Sequence, residues 1–219
     1  MALVNRPNGL SPVNNVIGGG WTQQGRLYCI PSSDSTYTYA IGDVVVSATG
    51  SDANGIPNVA KLPAASQASG VPLGIIVGVR PADPGVSLQG LTLDLATLYV
   101  PKTKSRNYYV YVIDDPSVVF EVQFDSTGAA QNDMHKNASL SITNDQSSTL
   151  AINAPYSTTV LTSPNTTNTL PIRLLGAVQR PENTFGGAAA ATAVPYIRVL
   201  GKFNNHEFGV GTGTNFTGV

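Results

Sequence analysis

Between Tyr108 and Phe124 the chain carries two different strand patterns back to back, and this pair constrains the fold more than any other stretch. Val118, Phe120, Val122 and Phe124 alternate with Val119, Glu121, Gln123 and Asp125, a period of two with one buried face. Just before them, residues 108–113 (Tyr-Tyr-Val-Tyr-Val-Ile) are apolar at every position, as in a strand covered on both sides. Asp114-Asp115-Pro116-Ser117 separates the two with residues that favour a tight turn. The segment reads as a β-hairpin.

The same logic places further strands at residues 26–30, 37–41, 44–48, 58–62, 73–80, 140–143, 149–153, 158–162, 172–179 and 196–203. Gly42-Asp43 and Asn54-Gly55 punctuate them. In the 73–80 strand, Leu73, Ile75, Val77 and Val79 fall on one side, while Gly74 and Gly78 point to a close backbone approach or a bend. Residues 91–99 fit a helix or a strand equally well, and the glycine-alanine run 186–191 reads as a loop. Some ten to twelve short strands predict an all-β chain, a β-sandwich or jelly-roll-like body over residues 26–203. Residues 1–25 and 204–219, rich in glycine, read as extended N- and C-terminal arms.

Composition narrows the function classes. Charged residues are 11% of the 219, against about 25% in an ordinary domain, and the formal charge is -1. Without a basic run, nucleic acid is not the expected partner. No stretch reaches the ~20 apolar residues of a membrane-spanning helix, and the first seven residues lack the layout of a signal peptide. The single cysteine, Cys29, reads as buried filler in a strand.

Candidate chemistry is thin, and neither cofactor nor metal is expected. His135 and His206 sit in polar stretches without a nucleophile elbow and read as surface or arm residues. Asp114-Asp115 is an adjacent acid pair explained by its turn, and Asp52-Ala53-Asn54-Gly55 reads as a turn in preference to a calcium loop. Gly209 to Thr214 resembles half of a phosphate-binding loop but opens no helix. Asn137, Asn165 and Asn215 match the glycosylation pattern, as chance allows in a chain this rich in Asn, Ser and Thr. Trp21, beside Gly18-Gly19-Gly20, is either an anchor for a partner pocket or packed on its own domain. Tyr37, Tyr39, Tyr108, Tyr109 and Tyr111 could form the platform of a carbohydrate-binding β-sandwich module, although strand packing explains them more simply.

The order of motifs resembles the structural cement, or head decoration, proteins of tailed phages, particularly podoviruses. The resembling pieces are Arg6-Pro7-Asn8-Gly9-Leu10-Ser11-Pro12-Val13, Leu27-Tyr28 with Ile41-Gly42-Asp43-Val44, and Pro72-Leu73-Gly74-Ile75-Ile76-Val77-Gly78. Tyr111 to Gln123, Leu174 to Asn183 and the ending Asn205-His206-Glu207-Phe208 complete a collinear set over most of the chain. The resemblance implies a non-enzymatic virion protein, assembled in the host cytoplasm onto the outer surface of an icosahedral head. Its partners would be major capsid protein subunits and other copies of itself in a small oligomer. Arg6, Pro7, Leu10, Trp21, Phe208 and Phe216 are the interface candidates.

Overall fold

The computed structural model describes residues 3–22, 24–63, 67–80, 99–142, 156–185 and 189–209. It is all-β and sandwich-like, as the strand patterns predict. Its strands are β1 (Ser11–Asn15), β2 (Arg26–Ile30), β3 (Tyr39–Ala40), β4 (Val44–Ser51), β5 (Pro57–Lys61), β6 (Gly74–Arg80) and β7 (Tyr99–Val100). Then follow β8 (Tyr108–Ile113), β9 (Val118–Gln123), β10 (Asn137–Ile142), β11 (Thr159–Asn165), β12 (Ile172–Ala177) and β13 (Arg198–Phe203). The predicted strand at 149–153 and the ambiguous residues 91–98 lie outside the described residues, as do residues 186–188 of the predicted loop.

Two layers form. Strands β2-β5-β4-β6-β8 close into a five-stranded barrel, antiparallel except for β2 beside β5. The order β1-β9-β13-β12-β10-β11 makes a six-stranded antiparallel sheet, and β3 pairs with β7. A bridge from Phe124 to Leu161 brings the sheet's far edge back towards β9.

The expected hairpin at 108–124 is not one. Both edges of β8 are taken, by β2 and β6, so β9 turns away at Asp114–Ser117 and pairs with β1 and β13 instead. The turn itself forms as read, with the Asp115 carboxylate accepting from the Ser117 amide at 2.8 Å and its hydroxyl at 2.6 Å.

This split explains the two patterns. Adjacent residues of the barrel strands go to different cores: Val45, Ile76 and Val112 fill the barrel interior with Tyr28, Ile30, Tyr39, Val59 and Val110. Their neighbours Val44, Ile75 and Ile113 face outward, onto a second core built with Phe120, Val122, Phe124, Leu140, Leu161, Leu174 and Phe203 of the sheet. A strand buried on both faces must be apolar throughout. Gly74 is required there, since a Cβ would lie 2.0 Å from the Ile113 carbonyl oxygen. The four apolar residues expected on one side divide between the two cores: Leu73, ahead of β6, and Val79 go to the barrel, Ile75 and Val77 to the sheet, and the β6–β8 register shift between Ile76 and Gly78 separates Val77 from Val79.

Candidate interaction surface

The described parts of both predicted arms close the seam between barrel and sheet. Leu10 is 1% exposed and belongs to the core, a correction to its reading as an interface residue. Its amide donates to the Gly42 carbonyl at 3.0 Å, and Gly9 (φ +65) crosses Gly42 (φ +91) closely enough that a Cβ on either would strike the other's strand. Beyond it, β1 adds to the edge of the sheet along β9. Arg6 is exposed and Pro7 half-buried. The Arg6 amide donates to Gln123 Oε1 at 2.9 Å and its carbonyl accepts from Arg198 Nη2 at 2.8 Å, which holds the segment down.

At the other terminus, Glu207 N–H donates to the Pro72 carbonyl at 3.0 Å, and Asn204 and Asn205 side chains donate to the carbonyls of Asn168, Thr169 and Leu170. His206, expected at the surface, is instead 3% exposed and lies between Phe203 and Phe208 in tilted ring contacts, with centroids at 5.3 Å and 6.1 Å. Its Nδ1 accepts from the Phe208 amide at 3.0 Å. Burial pushes its pKa down to about 4, against a partial pull from the Leu73 backbone, Asp114 and Asp115. His135 is exposed, as expected.

The β8–β9 turn brings the two terminal segments to one place. Val16 N–H donates to the Ser117 carbonyl at 2.9 Å from one side, while the Arg26 guanidinium, paired with Asp114 at 3.1 Å, sits 5.7 Å from the Phe208 ring on the other. Trp21 packs on the sheet core with one side and lines two open grooves with the rest. One groove is polar, with Asn15, Arg26, Asp114 and Asp115; the other is apolar, with Val77, Gly78 and Tyr111. Trp21 is thus both packed and available.

Around these grooves lie Ile17 (87% exposed), Phe208 (55%), Val16 (52%) and Tyr111 (39%). Val71, also exposed, precedes the Pro72 that receives Glu207. Sequence reasoning found Trp21 and Phe208 here and missed Val16 and Ile17. The signal for them was the apolar pair ahead of Gly18-Gly19-Gly20, where Asn15 and Gly19 close a tight hairpin that holds Ile17 out. Phe216 and residues 210–214 lie outside the described residues.

Other candidates resolve into structure. Tyr39 and Tyr109 are buried, and Tyr37 and Tyr108 pack on the barrel core, so the five tyrosines make no common sugar platform. Cys29 is buried, and so is Asn137, whose side-chain nitrogen donates to the Thr167 carbonyl. Asp52 anchors its turn by accepting from the amides of Asn54 and Ile56 and from the Tyr109 hydroxyl at 2.8 Å.

The most elaborate polar cluster, Asp43 with Lys61, sits inside the seam. The two meet at 2.7 Å, with side chains 1% and 2% exposed. Asp43 also accepts from the Ala40 amide at 2.7 Å and from the hydroxyls of Ser157 and Thr159, tying the β3–β4 turn to β11. Lys61 donates further to the Thr38 carbonyl. Its groups are enclosed and mutually satisfied, the arrangement of a structural tie. Among the described residues no group of three or more His, Cys, Asp or Glu is placed to hold a metal, and no helix is long and apolar enough to cross a membrane. No family model matches the sequence, and comparison with curated proteins and with solved structures returned no match.

Proposed function

We propose that this chain is a capsid cement protein: a non-enzymatic virion component that decorates the outside of a phage icosahedral head and bridges major capsid protein subunits. Besides the collinear resemblance, one observation supports the reading. Apolar residues from both terminal segments converge on a single face around the β8–β9 turn, each backed by a segment tied into the body. Exposed apolar side chains gathered in this way are typical of interaction sites, and a Trp and a Phe beside an Arg are the residue types that anchor them.

Such a protein binds the assembled shell in preference to dispersed subunits, so mass action moves stability to the assembled state. Copies joined in a small oligomer multiply modest contacts through effective concentration. The face is pre-organised: Ile17 is held by a closed hairpin and Phe208 by His206, so little ordering entropy is spent on docking.

The test is rebinding of the purified chain to heads stripped of it, followed by warming. Wild-type chain restores occupancy and raises the temperature at which packaged DNA escapes. The double variant Trp21→Ala/Phe208→Ser, folded by circular dichroism, binds at least about thirtyfold more weakly, the loss of one interface hot spot. Bare and decorated heads that release DNA at the same temperature overturn the proposal.

A further inference from the structure

The solvent face of β13 gathers charge that the sequence scatters. Arg198, Leu200 and Lys202 alternate with the buried Val199, Gly201 and Phe203 and project from one side of the strand. Register sets Glu121 of β9 opposite Leu200, and Arg173 of β12 opposite Lys202. Arg180 reaches Glu121 Oε2 at 2.7 Å while Arg198 meets Oε1 at 3.2 Å, and Arg6 and Glu182 line the same groove. Five cations (Arg6, Arg173, Arg180, Arg198, Lys202) therefore face two carboxylates, an excess of three positive charges on a chain of formal charge -1.

Three features say what would cover this face. Arg173, whose guanidinium donates to Asn137 Oδ1 at 3.5 Å, stands directly opposite Lys202 in register, a like-charge pairing that an anion on this face would relieve. Neither Lys202 nor the Arg6 guanidinium pairs with a carboxylate among the described residues. Glu121 already sits between two guanidinium groups, which shows that the spacing accepts planar carboxylate oxygens. The centre of the patch is not a run of charge: Leu200 occupies it, with Tyr196 and Val4 in the adjoining groove. An apolar centre with Arg and Tyr around it has the composition of a protein–protein contact, whereas affinity for a phosphate backbone rests on clustered Lys and Arg and needs no apolar centre.

We propose that this face docks an acidic protein surface, one presenting Asp or Glu carboxylates around an apolar side chain. The inference is independent of what the Trp21 face meets. Poly-L-glutamate is the probe, titrated into the full-length chain by calorimetry and compared with oligothymidylate and polyphosphate of matched charge. Poly-L-glutamate binds and weakens at least about tenfold between 25 mM and 250 mM salt. The reversal Arg173→Glu/Lys202→Glu abolishes that binding. The reversal Lys102→Glu/Arg106→Glu, of equal charge change on an exposed loop, alters it by less than about twofold. Three results would overturn the proposal: no binding of poly-L-glutamate, equal loss in the two reversals, or tighter binding of either phosphate polymer.

Discussion

The barrel and the six-stranded sheet share one core but use their remaining surfaces in opposite ways. The barrel strands β4, β6 and β8 bury both faces where they meet the sheet, with Val44, Ile75 and Ile113 in one core and Val45, Ile76 and Val112 in the other, while the far end of β4 is exposed. The sheet strand β13 buries one face and leaves the other to carry Arg198 and Lys202, while its neighbour β9, whose Val119 and Gln123 are also buried, adds the partly exposed Glu121. Where both faces are covered, chemistry available to a partner is found mostly at strand ends and turns, where Trp21, Arg26 and Phe208 sit, with Tyr111 of β8 the exposed exception. Where one face is free, a whole strand can display it. The termini then clamp the two layers together, through Gly42 on one side and Pro72 on the other.

The strongest way to break this arrangement is at the seam. Asp43→Ala removes the carboxylate that Lys61 meets at 2.7 Å in a buried pair, a loss of about 3–5 kcal/mol. Lys61→Met costs less, because Asp43 keeps the Ala40 amide and the Ser157 and Thr159 hydroxyls as donors. Urea denaturation followed by both far-ultraviolet dichroism and Trp21 fluorescence ranks the two. If barrel and sheet fold as one unit, the probes coincide in both variants; separated transitions would show two units meeting at a seam.

His206 is the next lever. Its folded pKa, about 4, lies below the ordinary 6.5, so the unfolded chain binds its proton more readily. The stability gained by keeping it neutral is complete above pH 6.5 and is lost as pH falls through the window to about 4. The loss reaches about 3 kcal/mol. His206→Phe flattens the stability profile in that window. A profile equally steep in the variant would assign the acid sensitivity to other groups.

How much of this was legible depends on how local the cause is. β2 is read residue for residue, because Arg26–Ile30 has a polar start and a turn-bounded apolar run. The burial of Val118, Phe120, Val122 and Phe124 follows from their alternation, but Val119 and Gln123 on the opposite face are buried as well, under neighbours that the alternation does not reveal. The partner of β9 could not be read, since it depends on both edges of β8 being occupied by strands far away in the sequence. Leu10 and His206 were misplaced for the same reason. Asn8-Gly9 and Asn204-Asn205 look like loose polar chain, yet they make backbone crossings and amide-to-carbonyl bonds to Gly42 and to residues 168–170. The cationic face was invisible because its members stand at positions 6, 173, 180, 198 and 202, and only strand register unites them.

Smaller effects sharpen the contrast between enclosed and open surface. Tyr109→Phe removes a hydroxyl from the Asp52 carboxylate on a residue 2% exposed, and destabilises by about 1 kcal/mol. Arg180→Ala breaks an ion pair of similar length, 2.7 Å against 2.8 Å, but its side chain is 45% exposed, and the cost is at most a few tenths of a kcal/mol. Thermal melts at low and high salt separate them, because only the Arg180 contribution fades with screening. Equal costs would mean that the sheet face is less open than its strand pattern implies.

The smallest expected change in stability is the most informative about the Trp21 face. Ile17 is 87% exposed at the tip of a hairpin closed by Asn15 N–H to the Gly19 carbonyl and Gly18 N–H to the Asn15 carbonyl. Its side chain is not needed for those bonds, so Ile17→Ser should leave stability within about 0.5 kcal/mol of wild type. A side chain so costly to expose and so cheap to remove has no purpose in the isolated fold. If it serves docking, the variant melts like wild type and loses binding to the head. A destabilisation above 1 kcal/mol would instead make the hairpin tip part of the chain's own packing, and would shift the docking role to Trp21 and Phe208 alone.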